Sequence, residues 1–142
     1  CIVDIFFYLK HIAKVGDLLI IDEPESHFTL KNQRLMAKLI ASIVNLGIKV
    51  FITTHSDFLI KELNNLILLK NDFEEKADWL IKNKKRYTEK DNLDFNSISV
   101  YQGTNGTLNS LKISNTGIEI PFFDEEINNL FTISSDLDYF IS

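Results

Sequence analysis

The chain has 142 residues, 45% of them hydrophobic and 11 of them Phe, enough apolar surface for a packed core and too much for a disordered tail. Its 15 Lys and Arg against 20 Asp and Glu leave a formal charge of -5, which excludes a global basic field for nucleic acid; any such contact has to be local. The single Cys excludes an internal disulfide and a cysteine-based zinc site, and no apolar run approaches the roughly 18 residues of a membrane span, so the expectation is a cytoplasmic chain with no membrane partner.

In chain order, Ile2, Ile5, Phe6, Leu9 and Ile12 recur at helical spacing, with Lys10, His11 and Lys14 off that stripe and Gly16 as a stop. Because Cys1 runs directly into this pattern, the amino end reads as a cut through a larger domain. Asp17 to Asp22 reads as a fully buried parallel strand, four aliphatic residues ending in Asp22-Glu23. Thr29 is placed to cap a helix with Leu35, Leu39, Ile40, Ile43 and Val44 on one side and Gly47 just past its end. Lys49 to Thr54 is the next strand. Ser56 caps a short helix to Leu63, and Asn64-Asn65 breaks it before a strand at Leu66 to Leu69. Alternation of this kind implies a parallel sheet with right-handed crossovers. From Asp72 to Lys90 the reading is a charged peripheral helix followed by a loop. Segments 97–102 and 108–114 flank Gly103-Thr104-Asn105-Gly106 as a hairpin, and an acidic helix follows Pro121. The fold class is α/β, a parallel-sheet core over residues 1–70 and a peripheral helix, hairpin and terminal helix over 71–142 of the same domain.

The chemistry concentrates at two strand ends. Hydrolysis of a nucleoside triphosphate needs a magnesium ion, a group that orients water and a sensor of the terminal phosphate. Asp22 is suited to hold magnesium, Glu23 to orient water, and Pro24 turns the chain away. His55, with Thr54 and Ser56 beside it, is suited to meet the terminal phosphate. Each segment alone reads as an ordinary turn or helix cap. Their joint occurrence, one helix apart at carboxyl strand ends, points to ATP with magnesium.

The sequence Leu18-Leu19-Ile20-Ile21-Asp22-Glu23-Pro24-Glu25, followed by Phe51-Ile52-Thr53-Thr54-His55-Ser56, resembles the Walker B and switch-histidine segments of ABC-type P-loop ATPases, nearest the SMC, RecF and OLD-like branch. The resemblance covers Val15 to Leu69. It implies a P-loop NTPase fold with Asp22 on magnesium, Glu23 on water and His55 at the terminal phosphate of ATP. Ser26 and His27 fall in the D-loop, which in that family faces a second subunit. Gln33 matches the branch, whereas Phe28, Thr29 and Leu30 replace its Leu-His-Pro turn. Transporters carry a Ser-Ala-Leu-Asp-like turn here, so Glu25-Ser26-His27 favours the non-transporter branch. No Gly-x-x-x-x-Gly-Lys-Ser/Thr loop and no Leu-Ser-Gly-Gly-like signature occurs. The resemblance therefore implies an upstream half carrying both, a homodimer sandwiching two nucleotides, little activity in the isolated 142 residues, and a DNA, RNA or effector partner in bacterial genome maintenance or phage defence. The competing readings are a transporter nucleotide-binding subunit and a non-catalytic interaction module.

Other residues carry less. His11 reads as a surface residue, and His27 lacks a Cys or His at ligand spacing for zinc. Lys82, Lys84, Lys85 and Arg86 read as a solvated face before a DNA contact. Asp124, Glu125 and Glu126 read as helix-capping carboxylates.

Overall fold

The computed structural model describes residues 2–141, without the side chains of residues 2, 121–126 and 141. Cys1, on which the reading of a cut domain leans, and the side chains of Asp124, Glu125 and Glu126 lie outside the described residues. The chain divides into two compact units, one running up to Ile98 and including Ser114–Gly117, the other formed by Ser99–Ile113 and the residues from Ile118 onward.

In the first unit, helix α1 (Ile2–His11) leads to strand β1 (Leu18–Asp22), helix α2 (Leu30–Asn45), strand β2 (Lys49–Thr53), helix α3 (Asp57–Lys70) and the short helix α4 (Lys76–Lys82). β1 and β2 pair in parallel, with Leu18 opposite Lys49 and Asp22 opposite Thr53, so both strands end at the same edge. The crossover helix α2 ends as its sequence demands. Gly47 takes φ +83°, a conformation that costs glycine little, and its N–H bonds back to the Val44 carbonyl at 2.9 Å.

Several expectations need correction. β1 is not fully buried: Leu18 and Ile20 are 58% and 66% exposed, and Phe51 on the same face of β2 is 56% exposed. The parallel sheet consists of these two strands among the described residues, so its second face has no cover there. The core side of α2 is Met36, Ala37, Ile40, Ala41 and Ile43, with Leu35 turned outward. Two alanines let α2 approach its neighbours closely, which a count of large apolar residues overlooks.

Leu66 to Leu69 is not a strand. α3 runs through Asn64-Asn65 without a break, burying Leu59, Ile60, Leu63, Leu66, Ile67 and Leu69. A short apolar run does not distinguish strand from buried helix, and tertiary burial outweighs the few tenths of a kcal/mol by which asparagine disfavours a helix. Asn65 gains a partner as well, its Nδ2 donating to Glu62 Oε2 at 3.3 Å.

Glu62, 1% exposed, is the polar centre of this core. Its Oε2 accepts from Arg34 Nε at 2.7 Å and from the Tyr87 hydroxyl at 3.1 Å, and Arg34 Nη2 donates to the Tyr87 oxygen at 3.0 Å. The bond to Glu62 holds the Arg34 guanidinium more firmly protonated than usual, while burial foremost, then the Glu62 carboxylate, raises the Tyr87 phenol. Lys38 caps the cluster with Nζ 3.9 Å from the Tyr87 ring centroid, a cation–π contact.

In the second unit, β3 (Tyr101–Thr104) and β4 (Thr107–Ser110) form an antiparallel hairpin around Asn105-Gly106. Both turn residues have positive φ, +51° and +76°, as a two-residue primed turn requires. The expected hairpin is present with shorter strands, because Ser97 belongs to a 3-10 turn (Phe95–Ser97) and not to a strand. Next in chain order come the two-residue strands β5 (Ile113–Ser114) and β6 (Gly117–Ile118), of which Ser114 and Gly117 belong to the first unit, and then helix α5 (Pro121–Ile141).

Candidate active site

The parallel register brings Asp22 and Thr53 side by side at the strand ends. The Thr53 hydroxyl donates to Asp22 Oδ1 and accepts from the Glu23 N–H at 3.2 Å, while the Thr53 carbonyl accepts from the same N–H at 3.1 Å. One threonine on β2 thus contacts both acidic residues at the end of β1. Thr53 lies inside the Phe51–Ser56 motif but is not among the site residues expected from the sequence. Its signal lies in the strand register, which the motif alone does not supply.

Glu23 adopts φ +44°, unusual for a residue with a side chain and worth about 1–3 kcal/mol of strain. The strain is held by the Thr53 bonds behind it and by two from Ser26, whose N–H donates to the Glu23 carbonyl at 3.0 Å and whose Oγ donates to Glu23 Oε2 at 2.9 Å. The backbone twist aims the Glu23 carboxylate across the strand ends. Its Oε1 lies 3.5 Å from His55 Nε2. Glu23 and His55 are 47% and 89% exposed in their side chains, facing solvent where a ligand has access.

Glu25 is different: 7% exposed, it points back under the loop after β2. Its Oε1 accepts from the Thr54 hydroxyl and from the His55 N–H at 3.0 Å. Thr54 Oγ1 accepts in turn from the Ser56 N–H at 3.0 Å. Ser56 is buried and caps α3 as expected, its Oγ accepting from the Leu59 N–H at 3.0 Å and donating to Gln33 Oε1 at 2.7 Å. Gln33 Nε2 donates to the Phe28 carbonyl at 3.1 Å. Thr29, the expected cap of α2, occupies the N-cap position without a side-chain bond.

Of the expected site residues, Asp22, Glu23, Ser26 and His55 are joined at the strand ends. Thr54 and Ser56 lie beside them with their hydroxyls engaged within the chain. His27, at φ +65°, joins Glu23, Glu25, Ser26, Gln33, His55, Ser56, Asp57 and Phe58 around an open cleft of about 400 Å³. Glu25 and Gln33 were not expected as site residues. Both are legible only as long-range partners.

Asp22 offers a hard oxygen donor at a strand end, a fit for magnesium, which keeps several waters and takes one or two protein carboxylates together with substrate phosphate. Among the described residues no group of three or more His, Cys, Asp or Glu is arranged to hold a metal by itself. No described helix is long and apolar enough to cross a membrane.

Residues 4–60 match the family model of an AAA ATPase domain, a span covering both strand ends and rather less than half of the chain. The match supports an ATPase of the AAA-type P-loop class, with ATP as its nucleotide. No curated protein and no solved structure matches the chain.

Proposed function

We propose that this chain supplies the acidic and histidine half of an ATP-hydrolysing site in an ABC-type ATPase of the SMC, RecF and OLD-like branch. The observation that carries the reading is the convergence of Asp22, Glu23 and His55 from two parallel strands onto one solvent-facing edge, with Glu23 and His55 3.5 Å apart. Asp22 is the residue that would hold magnesium. The chemistry the ion supplies when bound would be to neutralise charge on the phosphates. Glu23 accepts a proton from, or orients, the attacking water; His55 donates to the terminal phosphate and keeps Glu23 in place. Thr53 sets Asp22 and Glu23, and Thr54 and Ser56 support the histidine loop.

The phosphate-cradling loop and signature come in this reading from an upstream half of the same protein. Ser26 and His27 face a second copy across the nucleotide, and the opening and closing of that dimer drives a nucleic-acid or defence effector. The side-chain sequence of the turn favours this branch over a transporter subunit.

The test is ATP turnover by the full-length protein containing this chain, compared with its Glu23→Gln variant, with and without DNA. Loss of the base is expected to slow turnover about 10²–10⁴-fold while nucleotide binding persists. Equal turnover in the variant contradicts the role of Glu23, and no turnover in either protein favours the interaction-module reading.

A further inference from the structure

Resting on that reading, we infer that Glu25 is a positioning residue for His55, and that it locks the turn after β1 to the loop after β2 as one body. Glu25 Oε1 binds the Thr54 hydroxyl and the His55 N–H, both adjacent to the imidazole the reaction would use. Its own carbonyl accepts from the Phe28 N–H at 3.0 Å. The polar contacts close a circuit: Glu25 to Thr54, Thr54 to Ser56, Ser56 to Gln33, Gln33 to Phe28, and Phe28 back to Glu25. The circuit joins residues 25–28 to residues 54–56 through the start of α2. A displacement of the Ser26-His27 turn is thereby passed to His55 without crossing solvent.

Two further features argue that Glu25 serves placement before stability. Its Oε2 is buried and has no partner among the described residues, as is also true of Glu62 Oε1, but Glu25 differs in lining the cleft shared with His55. A carboxylate buried with one oxygen unsatisfied weakens a fold, and such groups recur where function requires them. No cation is bonded to Glu25 among the described residues, so a glutamine, which keeps an acceptor oxygen at the same reach, can replace it in the circuit.

The experiment uses the full-length protein as wild type, Glu25→Ala and Glu25→Gln, with two readouts: amide hydrogen exchange across residues 50–60, and ATP turnover. Glu25→Ala is expected to speed exchange at His55 about tenfold or more while the α2 amides stay protected, and to lower kcat with KM for ATP little changed. Glu25→Gln is expected to restore both. Wild-type exchange and kcat in Glu25→Ala overturn the inference, as does a uniform loss of protection through α2 and α3, which marks a purely structural residue. Glutamine failing as badly as alanine also overturns it. If the wild type shows no turnover, the ATPase reading falls, and the exchange readout alone still decides whether Glu25 holds His55.

Discussion

Glu62 and Glu25 are both buried glutamates on the same unit, and their surroundings differ in kind. Glu62 meets a guanidinium, a phenol and an amide at the junction of α2 and α3, a cluster whose charges nearly cancel. Glu25 meets a hydroxyl and a backbone N–H in the loops at the strand ends, with no bonded cation. The first arrangement compensates a buried charge and fixes how two helices pack. The second has no bonded cation among the described residues and holds the backbone beside a neighbouring imidazole. Burial alone therefore does not tell a structural carboxylate from a functional one; the identity of the donors does.

That contrast can be broken at its structural end first. Arg34→Ala strands Glu62 in the core and is expected to lower stability by about 3 kcal/mol in denaturant unfolding, with Tyr87 and Asn65 limiting the loss. Replacing Arg34 and Glu62 together by Met and Leu is expected to recover most of it, since Glu62 is the buried member of the pair and its charge is removed together with that of the half-exposed Arg34. Should the double replacement be as unstable as Arg34→Ala, the cluster does more than compensate charge. A smaller effect sharpens the other end. Ser56→Ala removes the cap of α3 and the partner of Gln33, and thermal unfolding is expected to report a loss of about 1 kcal/mol. A change within a few tenths of a kcal/mol would mean that the circuit around Glu25 is held elsewhere.

The same contrast explains what was legible in the sequence. The two strands, the crossover helix and the placing of Asp22, Glu23 and His55 at the strand ends could be read because each depends on neighbours in the chain: an aliphatic run, a terminal acidic pair, a helix cap. Thr53, Glu25 and Gln33 could not, since their parts depend on partners about 23 to 31 positions away, fixed by register and crossover packing. Leu66 to Leu69 misled for a related reason, as the burial that keeps it helical comes from α2 and from Leu93, whose N–H bonds the Leu66 carbonyl at 3.1 Å. The open face of the sheet at Leu18, Ile20 and Phe51 carries no local mark either, because an apolar strand reads the same whether one or both faces are covered.

In the proposed reaction Glu23 and His55 act together on the terminal phosphate. A double-mutant cycle in the full-length protein measures this directly, comparing single-turnover ATP hydrolysis in wild type, Glu23→Gln, His55→Ala and the double variant. Groups in one catalytic unit are grossly non-additive, so the double variant is expected to be about as slow as the slower single variant. If the two losses multiply, the residues act independently, and the 3.5 Å contact between them is not part of the catalytic machinery.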